Sequence, residues 1–240
     1  MTFFFSRSPW SDQAGKSLSP GSGGARPGTL DGRKARNVRR QTGVLVRKPT
    51  VFLHAKETSM PRVNLVDPTT ATGAAKPLLD EIKGAFGTAP NMFRAVANSP
   101  AALKSMWGAF GALGAGTIGA KLGEKIAVAV ADRDACSYCL AAHTLLGKKA
   151  GASGQDMADA QAGHSDDPRT AAALSFALKL VEHRGQVATA DIEALRAAGF
   201  DDGQIVEIIA HVALNLFTNY VNIALDVPVD FPSVRFRRAA

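Results

Sequence analysis

From Ala74 to Leu225 apolar residues return at every third or fourth position in one segment after another, and the stretches between them are rich in alanine. That period, sustained over most of the chain, leaves little room for anything but helices. Leu78, Leu79, Ile82 and Phe86 mark the first face, with Pro77 tolerable in an opening turn; Gly87 ends the helix and Pro90 restarts the chain. Pro100, behind Ser99 as cap, opens a helix through about Leu113. In Lys121–Asp132 the alternation of Ile126, Val128 and Val130 would suit a strand, but the alanine content and the flanks favour a helix. Asp134 reads as the cap of a helix from Cys136 to Ala150, closed by Gly151. Helices over 154–163, 168–183 and about 189–198 follow. Asp201 with Gln204 forms a capping-box pair for a long last helix, whose apolar face is read as Ile205, Ile208, Ile209, Val212, Leu216 and Ile223. The tail from Val227 to Phe231, between Pro228 and Pro232, is expected to be extended. The fold class is all-α, a helical bundle.

One stretch, Ile208 to Leu225, is long enough and free enough of charge to suggest a membrane span. It contains His211, Asn215, Thr218, Asn219 and Asn222, and so reads as a buried helix with no membrane contact. The charge is lopsided. Residues 1–59 hold 11 Lys+Arg against 3 Asp+Glu, and residues 60–240 hold 17 against 18, giving +8 and −1, which sum to the +7 of the chain. The high pI therefore resides in the first quarter, and a basic nucleic-acid face on the main domain is not expected. Residues 1–59, with Ser19-Pro20-Gly21-Ser22-Gly23-Gly24 and the basic runs at Arg33–Arg36 and Arg39-Arg40, bury too little apolar surface to order themselves. A basic arm, a targeting peptide and a dispensable extension are the open readings, the last favoured because Met60-Pro61-Arg62-Val63 resembles a start. The domains are thus read as a disordered basic extension, 1–59, and a helical domain, 60–240.

There are two cysteines, Cys136 and Cys139. A secreted disulfide scaffold would be richer in them, and a zinc ribbon would need a second pair. On a helix their spacing sets the Cβ atoms about 5–6 Å apart, so a bridge between them needs local distortion and is of the reducible kind. A free thiol is only about 3% ionised at pH 7, and a pKa near 6.5 would make it roughly three-quarters thiolate. Placement at a helix start supplies part of that shift. His143, four residues after Cys139, lies one turn along the same face and can take a thiol proton. Glu124, on the preceding helix, can reach the dithiol region if the two helices form a hairpin, and can orient His143. Nucleophile, base and orienter are then all present. Each residue also has a plainer reading: small apolar cysteines, a core histidine, a solvated glutamate.

Glu124, eleven residues, Cys136, two residues, Cys139, three residues, His143: this spacing resembles the active-site signature of the alkylhydroperoxidase D family, within the carboxymuconolactone decarboxylase superfamily. Pro90-Asn91-Met92-Phe93 with Ser99-Pro100, and Leu214 to Asn222 with Asp230-Phe231-Pro232, resemble its peroxidase-related branch, so that the likeness spans about residues 60–232. The resemblance implies that Cys139 attacks a peroxide, that Cys136 resolves the product to a disulfide, and that Glu124 and His143 relay protons. It also implies a homo-oligomer, trimer or hexamer. One departure stands out: Tyr138 lies between the cysteines where some members carry a histidine, and a phenol cannot serve as the base there near pH 7.

The expected activity is thiol-dependent reduction of a small hydroperoxide, with no cofactor or metal on this chain, an external dithiol as reductant and a cytoplasmic setting. His211 and Tyr138 are possible pocket residues. Asn215, Asn219 and Asn222 share a helix face, for which capping or interhelical bonds are the default reading and a pocket wall or subunit contact the second. Phe93 and Trp107 are candidate pocket walls. The alternatives are a non-redox lactone decarboxylase, a zinc module built on Cys136, Cys139, His143 and His211, and a basic-armed interaction protein.

Overall fold

The computed structural model describes residues 60–237; the expectations placed on residues 1–59 lie outside them. The described residues form α1 (Ala75–Phe86), α2 (Asn91–Val96), α3 (Pro100–Gly114), α4 (Ala120–Arg133), α5 (Ser137–Lys149), α6 (Gly154–Gln161), α7 (Pro168–Glu182), α8 (Thr189–Ala197) and α9 (Asp202–Ala224), with no strand among them. The domain is all-α, as the periodicity requires. No helix among the described residues is long and apolar enough to cross a membrane.

α4 is the central rod. Gly123 and every residue from Lys125 to Asp132 are buried, and α5, α6, α7 and α9 pack around it. A helix surrounded in this way needs small side chains on several faces, and Ala127, Ala129 and Ala131 supply them while Ile126, Val128 and Val130 fill the gaps between neighbours. Gly147 brings α5 close: a Cβ there would lie 3.3 Å from the Glu124 Cβ and 2.4 Å from the Met157 Cε.

α2 was not expected from the sequence. Two of its first N–H groups find remote partners. Asn91 N–H donates to the Asp230 carboxylate at 2.8 Å, and Met92 N–H donates to the Tyr138 hydroxyl at 3.1 Å. Such a short helix depends on this outside capping, which no local pattern announces.

Asp134 does not cap α5. It is the C-cap of α4, followed by Ala135 with φ 55°. Ala135 N–H donates to Asp132 C=O at 3.2 Å and Cys136 N–H to Ala131 C=O at 2.9 Å, the paired bonds of a Schellman turn. The α5 cap is Cys136 itself, whose sulfur accepts Cys139 N–H at 3.4 Å. Cys136 therefore closes one helix and opens the next.

The capping box of α9 is as expected, with Gln204 N–H donating to Asp201 at 2.8 Å. Its inner face is not. Ile205, Ile208 and Val212 are buried, but Ile209 and Ile223 are exposed, and the second half of the helix turns Asn215, Thr218, Asn219 and Asn222 inward. Buried polar groups need partners; Asn219 and Asn222 find theirs at Asp134 and Cys139, on either side of the α4–α5 turn, and Asn215 and Thr218 find theirs within α9.

Candidate active site

The α4–α5 hairpin brings the expected residues together. Glu124 Oε2 and His143 Nδ1 are 2.8 Å apart, the imidazole buried and the carboxylate partly exposed. A carboxylate at Nδ1 fixes the ring so that Nε2 is its free basic nitrogen. Cys139 sits one turn before His143 on α5, and both line a small apolar cavity of about 30 Å³. Phe86, Phe93, Phe110 and Phe231 form much of its wall. Trp107, the other aromatic considered, stands behind, edge-on to Phe93 at 5.8 Å, with its indole N–H bonded to Glu81 at 3.0 Å.

Cys136 and Cys139 are both free and buried. The pair is polarised. Cys136 receives both the thiol and the backbone N–H of Cys139, and the hydrogen bond from that thiol is the main reason its pKa falls below the ordinary value, although Asp134 nearby pushes it up. Burial, with Cys136 beside it, holds Cys139 well above the ordinary value. Asn222 opposes this by donating its amide to the Cys139 sulfur at 3.2 Å. The Thr218 hydroxyl, which donates to Asn215 C=O at 3.0 Å, lies 3.9 Å from the same sulfur. Cys136 is thus the more acidic thiol of the pair, and Cys139 must lose its proton before it can act as a nucleophile.

Asn222 and Thr218 are site residues that sequence reasoning left as helix-face polar groups. The signal was present in the three- and four-residue spacing of the asparagines, but what they face is set by how α9 docks. Asn219 donates to Asp134 at 2.8 Å and so steadies the turn that carries Cys136, while Asn215 donates to His211 C=O at 2.8 Å within α9.

Tyr138 lines the apolar cavity, but its hydroxyl is engaged by Met92 N–H and its ring is edge-on to Phe231 at 5.5 Å. Burial drives its pKa far above the ordinary value, which leaves it no part as a base. His211 lines a second, more polar cavity with Glu124, His143 and Asn215. The proposed zinc set is not assembled, since no cluster of three or more His, Cys, Asp or Glu side chains able to hold a metal occurs among the described residues.

Residues 100–183, which run from α3 through α7 and carry Glu124, both cysteines and His143, match the model of the carboxymuconolactone decarboxylase family. The match covers about a third of the chain. Among solved structures, an uncharacterized peroxidase-related protein from Silicibacter sp. TM1040 is 24% identical with a TM-score of 0.64, covering 73% of this chain and 94% of its own. Another, described as an alkylhydroperoxidase AhpD core from Ralstonia eutropha JMP134, is 24% identical with a TM-score of 0.65 over 72% and 93%. The debrominase Bmp8, as a cysteine-to-alanine variant in complex with 2,3,4-tribromopyrrole, is 20% identical with a TM-score of 0.60 over 71% and 94%. At these identities the likeness is one of fold. A comparison with curated proteins finds no match. The matched segment ends before α9, so Thr218, Asn219 and Asn222 lie outside it.

Proposed function

We propose that this chain is a thiol peroxidase of the carboxymuconolactone decarboxylase family that reduces a small hydroperoxide at Cys139. The observation that carries the reading is the continuous polar path from Glu124 to His143, ending beside a buried cysteine at the wall of an apolar cavity. Loss of the Cys139 proton to His143, with Glu124 holding the imidazolium, yields the thiolate, and Asn222 donates to its charge. The thiolate attacks the terminal peroxide oxygen; an S–O bond forms, the O–O bond breaks, and the leaving alkoxide takes a proton from His143 to depart as alcohol. The Cys139 sulfenic acid is then attacked by the Cys136 thiolate; the S–S bond forms, the S–O bond breaks, and the leaving hydroxide takes up the proton that Cys136 gave up, departing as water. An external dithiol restores both thiols by exchange.

The cavity volume supports a small acceptor. About 30 Å³ holds roughly two water-sized groups, the scale of a hydroperoxy head. A lactone carrying carboxylates would call for a cation, whereas neither the cavity beside Cys139 nor the one beside Glu124 is lined by Lys or Arg. That favours dithiol chemistry over decarboxylation. The test is stoichiometric: one equivalent of cumene hydroperoxide added to reduced protein should remove both free thiols. Retention of both thiols at a modest excess of the oxidant would end the proposal.

A further inference from the structure

The second cavity, about 120 Å³, lies on the other side of His143 from the dithiol. His143 and Phe110 line both cavities; Cys139 lines only the apolar one, and Glu124 and His211 only the polar one. At roughly 10–15 Å³ per water, the polar cavity has room for several. His211 reaches it from α9 by lying over Gly123, where a Cβ would come within 2.9 Å of its Cε1. Its Nε2 is buried without a hydrogen-bond partner. A buried ring nitrogen left in this way calls for a water or another polar group against it.

We propose that His211 is the outer proton acceptor of the site: water in this cavity links it to Glu124, so that the proton His143 takes from Cys139 passes outward through Glu124 to His211, away from the apolar cavity that receives substrate, and returns by the same path to the leaving alkoxide. Peroxide and proton then use opposite faces of one imidazole. The charged and titratable groups around His211 are Glu124 on α4, His143 on α5 and Glu207 on its own helix. Glu207 is committed to the loop before α4, accepting Thr117 N–H at 2.7 Å and Ile118 N–H at 3.0 Å, and so is no proton acceptor for the cavity. Burial keeps His211 on the neutral side of its ordinary value despite the two carboxylates, which leaves it able to receive a proton at neutral pH.

The inference rests on Cys139 being oxidised by hydroperoxide, and the experiment separates the two claims. Thiol loss is followed by stopped flow at cumene hydroperoxide concentrations where the rate no longer rises with peroxide, so that proton departure is exposed. Absence of thiol loss in the unaltered protein overturns the peroxidase reading and with it this one. Given thiol loss there, His211→Ala should slow it by about 10- to 100-fold, at or below what one positioned acid–base group contributes. Added imidazole should restore the rate in a saturable manner that follows its neutral form as pH is varied. His211→Gln, which fills the space and hydrogen-bonds but does not titrate near neutrality, should be as slow as His211→Ala. An unchanged rate in either variant, or a slow His211→Ala that imidazole does not rescue, overturns the role of His211 while leaving the peroxidase reading intact.

Discussion

Asn222 on α9 donates its side-chain amide to the sulfur of Cys139 on α5 at 3.2 Å, across 83 residues of sequence. The bond stabilises the thiolate over the thiol. Replacing Asn222 with Leu should therefore raise the Cys139 pKa. A hydrogen bond to a charged group is worth about 1.5–3 kcal/mol, or roughly one to two pH units. Iodoacetamide alkylation in a Cys136→Ser background, followed against pH, should show its midpoint move up by that amount. An unmoved midpoint would mean that Asn222 does not serve the thiolate.

Glu124→Gln keeps the shape of the carboxylate beside His143 but removes its charge. The imidazole then loses the group that stabilises its protonated form, and the rate of hydroperoxide-driven thiol loss should fall by about 10²-fold. Thermal stability should change little, because Glu124 is partly exposed. A variant with full activity would show that His143 works alone.

Cys136→Ser should leave the first oxidation in place and remove the second. Sulfenic acid at Cys139 should persist and react with dimedone, as seen by mass spectrometry. Dimedone capture at residue 139 in neither the variant nor the unaltered protein would point to a different attacking sulfur.

Asp134 gives a pH signature. Burial raises its pKa above 3.8, with the Asn219 amide opposing the shift. A raised carboxyl contributes stability that is whole below the unfolded pKa and is lost as pH climbs through the folded one. Asp134→Asn does not titrate, so at pH 7 it should be more stable than the unaltered protein, and by about pH 3 the advantage should vanish. Removing this charge should also lower the Cys136 pKa further, since Asp134, after burial, pushes it up. Equal melting temperatures at both pH values would contradict the account.

Ala135 adopts φ 55° in the turn between α4 and α5. A Cβ in the left-handed region costs about 1 kcal/mol relative to glycine. Ala135→Gly should thus raise the melting temperature by about 2–4 °C for a domain of this size. A lower value would mean that added freedom in the unfolded chain outweighs the relief of strain.

Apolar period and punctuation told in advance of the bundle, of eight helices to within a few residues, and of the capping box at Asp201 and Gln204, because each depends on residues within one or two turns of one another. Glu124, Cys136, Cys139 and His143 were also legible, three of them on or at the start of one helix and the fourth on its hairpin partner. What packing decided was the direction of each polar group. Cys136 became a cap because the α4–α5 turn closes through Ala135, and α2 formed because Asp230 and Tyr138 satisfy its first N–H groups. The asparagines of α9 turned inward because the dithiol and Asp134 lie there to receive them. Local sequence sets backbone conformation through short-range sterics and hydrogen bonds. Which thiol is the more acidic depends on burial and on donors brought from distant helices, and those exist only once the chain has folded.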